Sequence, residues 1–211
     1  MPTAPLDHTN RIWDLTGHVL TAHSLAMGRE SLIGPDVVQE LVGAIDRVRQ
    51  QPADGDDLFE QVRLFDARIE AQPQQEVASA GRVGRSAVDV SASIARLQAL
   101  ELLQAVDEQL ARCEAAVIHI ATQNYPVLMP VTMDGFVSQP TSVAHWLSAL
   151  IGQIGRNRDN LAHVYNSVDQ SPMGAGAMGA TAFTVDRSAL ARDLGFNTLV
   201  ESTFDAVASL D

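Results

Sequence analysis

Apolar residues recur at intervals of three and four along most of the chain, which is the spacing of a packed helix face. Residues 10–50 predict two helices, and the second begins at Pro35. Proline is tolerated at the first position of a helix because the backbone N–H there has no partner within the helix. A third helix follows the turn residues 52–56, and residues 72–84 are predicted to be a loop because they are polar and contain glycine. The three apolar stripes contain, in order, Ile12, Leu15, Val19 and Leu20; Val38, Leu41, Val42, Ile45 and Val48; and Leu58, Val62, Phe65 and Ile69.

Two much longer patterns follow. Residues 87–122 contain neither proline nor glycine, and they predict a helix roughly 50 Å long at ~1.5 Å per residue. A second pattern covers residues 142–168, after which come a glycine-rich loop at 171–180, a short helix opened by Asp186 and a last helical pattern at 198–210. We therefore predict an all-α fold with a small helical domain at 1–84 and part of a bundle of long helices at 85–211.

Two long helices cannot bury their apolar stripes on each other alone. The pattern therefore predicts a partner, either further copies of this chain in a homo-oligomer or a complementary chain.

Composition and charge narrow the possible functions. The formal net charge of -12 disfavours nucleic-acid binding, since phosphate backbones would be repelled. No apolar run reaches the ~18–20 residues that a membrane span needs, and the N-terminus lacks the pattern of a signal peptide, so we expect a cytoplasmic protein. The single cysteine, Cys113, lies in an apolar helical pattern and is interpreted as a core residue rather than a reactive thiol.

No cofactor or metal is expected. Residues 174–179 match the letters of the dinucleotide-binding pattern G-x-G-x-x-G, but a long helix rather than a strand precedes them and no helix begins within them. The chain contains no lysine, which excludes Schiff-base chemistry by its own residues. The six histidines do not have the spacing of a zinc site.

Several stretches closely resemble argininosuccinate lyase of the fumarase/aspartase superfamily. The most specific are Ser171 to Gly179, Asp186-Arg187 and Leu194-Gly195-Phe196, which match S-P-L-G-x-G-A-L-A-G, I-D-R and L-G-F in the same order and at the same spacing. Five weaker matches are Ala22-His23, Asp57-Leu58-Phe59, Gly84-Arg85-Ser86 with Asp89, Met129-Pro130 with Gln139-Pro140, and Phe204 to Val207. The resemblance implies a small front domain, a tetrameric helical bundle and a β-elimination that releases fumarate, with the site drawn from three subunits.

At several positions where that family has polar residues, this chain has other residues. The family's Thr-His becomes Met133-Asp134 and the following Gln becomes Phe136, while the Arg-Asn after G-R-S becomes Ala87-Val88. The family's two remaining histidines align with Phe59 and Arg82. A site that loses its hydrogen-bonding partners binds a polar substrate less well. These replacements argue against argininosuccinate as the ligand and favour a less polar small molecule.

Six residues are candidates for the site. By the resemblance, Asp134 occupies the acid/base position, although Asp-Gly is also a common turn dipeptide. The resemblance makes five further residues candidates for substrate binding: Arg85, Ser86, Asp89, Gln139 and Ser171. Alternatively, Arg85 forms a structural ion pair, Ser86 caps the long helix, and Asp89 interacts with the helix dipole.

The family's flexible loop G-S-S-x-M-P-x-K-x-N, which carries the catalytic serine, has no counterpart in these 211 residues. We therefore expect a diverged lyase-type subunit that is completed by another chain or by oligomerisation. The alternative is a non-catalytic interaction or scaffold subunit that kept the bundle and lost the chemistry.

Overall fold

The computed structural model describes residues 8–55 and 57–208, and helices dominate this part of the chain. The eight helices are α1 (His8–Arg29), α2 (Pro35–Arg49), α3 (Leu58–Glu70), α4 (Gln75–Ala80), α5 (Ala87–Gln123), α6 (Val143–Val168), α7 (Arg187–Asp193) and α8 (Thr203–Ala208). The predicted all-α class is confirmed. The two long helices begin and end within one residue of their predicted bounds.

Within the described residues, six strands of two residues each pair in three short ladders. The antiparallel pairs are β1 (Leu128–Met129) with β4 (Thr141–Ser142), and β2 (Thr132–Met133) with β3 (Phe136–Val137). The parallel pair is β5 (Gln170–Ser171) with β6 (Thr198–Leu199). These ladders shape the loops between helices and form no larger sheet.

Two local predictions were wrong. The predicted loop at 72–84 contains helix α4, whose six residues bury only Val77 and Ala80 and are too short to show a periodic pattern. The predicted helix at 198–210 begins instead with strand β6, and α8 starts only at Thr203. Pairing with β5 keeps Thr198 and Leu199 extended. Residues 209 and 210 lie outside the described part.

The chain forms two compact units. The first comprises Met1–Ala99 and Val168–Asp211, and the second comprises Leu100–Ser167. The predicted domains, residues 1–84 and residues 85–211, stay a prediction.

An aromatic pair lies at the centre of the first unit. The rings of Trp13 and Phe65 are 4.7 Å apart between centroids and both side chains are buried. The indole N–H of Trp13 donates to the carbonyl oxygen of Val48 at 3.1 Å, so its one polar atom is satisfied. These contacts join α1, α2 and α3.

The second unit packs α5 against α6 on one face only. Its buried cluster consists of Val117, Ala121, Leu147 and Ile154, and Arg158 joins the helices through Asp107 at 2.8 Å and Glu114 at 3.0 Å. Other apolar side chains of these helices are exposed, among them Leu102, Val106, Ile118, Ile120, Trp146, Leu150 and Val164.

Cys113 is exposed, so its interpretation as a core residue was wrong. A helix of 37 residues carries apolar side chains on more faces than one neighbouring helix covers. None of the described helices is long and apolar enough to cross a bilayer.

Candidate active site

The loop before α5 is held by a buried ion pair. Two guanidinium nitrogens of Arg85 donate to the two carboxylate oxygens of Asp66, at 2.6 and 3.2 Å, and the third donates to the carbonyl oxygen of Gly81 at 2.7 Å. Both side chains are almost fully buried, at 3% and 6% exposure. In this chain Arg85 therefore forms the ion pair that the sequence left open as its structural alternative.

Ser86 and Asp89 cap the first turn of α5. The Ser86 hydroxyl oxygen accepts from the backbone N–H groups of Val88 and Asp89, at 3.2 and 3.3 Å. In return, the Asp89 carboxylate accepts from the backbone N–H of Ser86 at 3.0 Å. This reciprocal arrangement is a capping box, and it satisfies N–H groups that a helix start leaves without partners.

The capping box also holds the glycine-rich loop. The second carboxylate oxygen of Asp89 accepts from the backbone N–H of Gly176 at 2.8 Å, and the Ser86 hydroxyl donates to the carbonyl oxygen of Gly176 at 2.9 Å. Gly176 has φ +67°, and a Cβ there would lie 3.1 Å from the carbonyl oxygen of Ala180. This geometry favours glycine, and the contact joins two of the stretches that carry the family resemblance.

Asp89 is fully buried, which changes its electrostatics. Burial raises the pKa of its carboxyl to about 6, although the hydrogen bonds from Ser86 and Gly176 and the charge of Arg85 act in the opposite direction. The sequence suggested only a first-turn interaction with the helix dipole for this residue. Its buried bridge to Gly176 could not be read from the local pattern.

Ser171 and Arg187 fix the other end of the glycine-rich loop. The buried hydroxyl of Ser171 accepts from the N–H of Met173 at 3.3 Å, and its carbonyl oxygen accepts from the N–H of Val200 at 3.0 Å. Arg187 donates to the carbonyl oxygens of Met173 and Val200, at 3.4 and 2.8 Å. Both side chains therefore position backbone.

Asp134 and Gln139 belong to the second unit, whereas the other four candidates belong to the first. Asp134 has φ +52° and Gly135 has φ +83°, the conformation of a tight two-residue turn between β2 and β3. Asp134, Gln139 and the replaced residues Met133 and Phe136 are all exposed. Arg85, Ser86 and Asp89 thus lie together around the start of α5 in the first unit. Asp134 and Gln139 lie in the second unit.

A cavity of about 310 Å³ opens in the first unit beside the capping box. Phe59 and Val88, two positions where the family resemblance implies a histidine and an asparagine, both line it. Eight of its ten lining residues are apolar, and the other two are Ser91 and Arg96. The sequence showed each replacement separately, and the fold places these two in one cavity wall.

The sequence pattern alone did not identify Ser91. It is buried on α5, and its hydroxyl has no hydrogen-bond partner among the described residues. The signal that could have found it is a polar residue three positions after Val88 and four before Ala95, on the same apolar face of the helix.

Comparison with known proteins agrees with this architecture. The sequence profile of the lyase family matches residues 9–211. The chain belongs to this family, in the fumarase/aspartase superfamily. Within it the chain is argininosuccinate lyase-like, because curated argininosuccinate lyases match it over nearly its whole length.

The enzyme of Leptothrix cholodnii is 30% identical over 217 residues, which cover 99% of this chain and 45% of the relative. That of Methanosarcina barkeri is 26% identical over 211 residues, which cover 99% and 43%. The chain therefore spans less than half the length of these curated relatives.

Solved structures share the fold. EDDS lyase in complex with formate has a TM-score of 0.88 at 21% identity, over 95% of this chain and 40% of that one. A Brucella melitensis protein described as fumarate lyase:delta crystallin, bound to cobalt, has a TM-score of 0.73 at 16% identity, over 98% and 52%.

Proposed function

We propose that this chain is a diverged lyase-type subunit that supports a β-elimination, or a related reaction, on a substrate less polar than argininosuccinate. The single observation that carries this proposal is that Phe59 and Val88 line one apolar cavity beside the contact between Asp89 and Gly176. On this proposal the frame of the site is retained, while the wall that contacts the substrate has changed.

The reaction needs a base that removes a proton from the carbon next to a carboxylate. It also needs an acid that protonates the departing amine. On this proposal Asp134 acts as acid or base from its exposed turn, and Gln139 binds substrate near it. Arg85, Ser86, Asp89 and Ser171 contribute to substrate binding by holding backbone within the first unit. Further catalytic groups come from another chain or another copy.

Oligomerisation is part of the proposal. The exposed apolar side chains of α5 and α6 support it, since exposed apolar surface marks interaction sites when it is extensive. A second candidate function, a non-catalytic scaffold subunit, is favoured by the same surface together with the ion pair that occupies Arg85.

The reverse reaction gives a direct test. The purified chain, with whatever co-purifies with it, is incubated with fumarate and a series of amines from arginine to benzylamine, and loss of fumarate absorbance is followed together with mass spectrometry of the adduct. We expect addition of apolar amines in preference to arginine. Matched variants Val88→Asn and Phe59→His should shift the preference toward polar amines.

The outcomes separate the two functions. A stable oligomer without turnover of any amine supports the scaffold subunit. Efficient release of fumarate from argininosuccinate by this chain would contradict the proposed change of substrate.

A further inference from the structure

Ser91 is one of the residues that line an apolar cavity, and its hydroxyl is buried without a partner. Its side chain is 2% exposed and its Oγ has no hydrogen-bond partner among the described residues. Three other helical serines, Ser24, Ser79 and Ser93, donate to the carbonyl oxygen four residues earlier. Ser91 lacks even this common local bond, and buried polar groups without a partner are rare in folded proteins.

The helical spacing places Ser91 toward the cavity. Of the lining residues, Val88, Ala95 and Ala99 lie three, four and eight positions from Ser91 and therefore share its face of α5. Serine has three staggered rotamers, so its hydroxyl can turn toward a bound molecule without movement of the helix.

The cavity has the size and lining of a small-molecule site. Its volume of about 310 Å³ falls at the lower end of the range for ligand pockets, and an apolar cavity of about 150 Å³ already admits benzene. Arg96 is the one charged residue among those that line it, and its guanidinium donates to the carbonyl oxygen of Val168 at 3.3 Å. The wall therefore offers a large apolar surface, and a change of rotamer at Ser91 would add its hydroxyl.

We infer that this cavity binds a ring-sized apolar group and that the Ser91 hydroxyl forms a hydrogen bond with a single polar atom on it. The inference names the ligand class of the proposed function and rests on the proposal that the substrate is less polar. The ligand is an aromatic or branched aliphatic group with one hydroxyl, carbonyl or amide.

Two probes that share a fluorinated benzene ring test it on the full chain. Fluorobenzene and 4-fluorophenol differ in one hydroxyl, and both can be followed by fluorine NMR line broadening during titration. We expect 4-fluorophenol to bind about tenfold more tightly than fluorobenzene, since the phenol satisfies a buried hydroxyl that fluorobenzene leaves unpaired.

Three variants locate the effect. Ser91→Ala should remove the preference for 4-fluorophenol and leave fluorobenzene binding. Ser93→Ala is the matched control, because the Ser93 hydroxyl is buried and already donates to the carbonyl oxygen of Asp89 at 2.7 Å. In this variant the preference for 4-fluorophenol should persist. Ala95→Leu, which fills the cavity, should abolish binding of both probes, with circular dichroism used to verify its fold.

Absence of binding by either probe, equal affinity for both, or a preference that survives Ser91→Ala would each overturn the inference. Probe binding without turnover of any amine would leave the cavity assignment standing and contradict the proposed elimination. Turnover that Ala95→Leu does not affect would leave the proposed elimination standing and contradict the cavity assignment.

Discussion

The carboxylate of Asp89 accepts a hydrogen bond from the backbone N–H of Gly176 at 2.8 Å, although 87 positions separate the two residues. The same carboxylate closes the capping box of α5 through the N–H of Ser86. One buried side chain therefore sets both the start of the longest helix and the path of the glycine-rich loop.

Asp89→Asn should destabilise the first unit. An asparagine keeps the size of the side chain but replaces one acceptor oxygen with an NH₂ group, so the N–H of Ser86 or of Gly176 loses its partner. We expect the free energy of unfolding to fall by about 2 kcal/mol, measured by urea denaturation. Asp46→Asn, at an exposed position of α2, is the control and should change it by less than about 0.5 kcal/mol.

The glycine-rich loop should tolerate alanine at one glycine and not at another. Gly176 has φ +67° and a crowded Cβ position, so Gly176→Ala should cost about 1–2 kcal/mol in the free energy of unfolding. Gly179 has open space around its Cβ position, and Gly179→Ala should be close to neutral. Equal effects of the two variants would contradict the loop conformation described above.

Removing the Ser91 hydroxyl should stabilise the unliganded chain. Burying an unpartnered hydroxyl is unfavourable, and alanine also has the higher helix propensity, so Ser91→Ala should raise the free energy of unfolding by about 1 kcal/mol. Ser93→Ala loses a satisfied bond and should not be stabilised to the same extent. Thermal melts of both variants in parallel make the comparison, and a destabilised Ser91→Ala would show that the hydroxyl has a partner in solution.

Two buried groups should give opposite dependences of stability on pH. Burial lowers the pKa of His23 to about 4. As pH falls, the imidazole is therefore protonated in the unfolded chain before it is protonated in the folded one. The stability that the neutral imidazole contributes is lost as pH falls from about 6.5 through 4. Burial raises the pKa of Asp89 to about 6, so the contribution of its protonated form is present below about 4 and is lost as pH rises through 6.

Between pH 6.5 and 4 the two contributions therefore oppose each other, each on the order of 2–3 kcal/mol. His23→Gln should show a gain of stability on acidification relative to the wild type, and Asp89→Asn should show a loss. Urea unfolding at four pH values across this range measures both. His163→Gln, at an exposed histidine of α6, should follow the wild type.

Asp134→Asn separates a catalytic role from a turn role. Asparagine followed by glycine is well suited to the tight turn between β2 and β3, so the variant should keep its stability within about 0.5 kcal/mol. In an assembly that releases fumarate, loss of the acid/base group should lower kcat at least about 100-fold. Asp159→Asn, at an exposed carboxylate of α6, should retain activity, and an active Asp134→Asn variant would assign this residue to the turn alone.

The sequence predicted the long helices well because their physical determinants are local. The absence of proline and glycine between Ala87 and Gln123 and the cap at Ser86 set the bounds of α5, as Asp186 sets the start of α7. The same periodicity misled at Cys113, since an apolar position is buried only where another element covers it.

The candidate site was less predictable because its contacts are distant in sequence. The bridge from Asp89 to Gly176 and the common cavity of Phe59, Val88 and Ser91 depend on how separate helices meet. Motif spacing identified Asp89 and the glycine-rich loop individually, but the pairing of a buried carboxylate with one particular N–H requires the fold.

The bridge between Asp89 and Gly176 also has a kinetic consequence. It can form only after the intervening chain, which includes all of the second unit, has brought Gly176 back to the start of α5. The entropy of closing so long a loop depends only weakly on its length, since doubling the length adds about 0.6 kcal/mol. The antiparallel contacts between α5 and α6 are closer in sequence, so we expect the second unit to form early in folding and the first unit to be completed last.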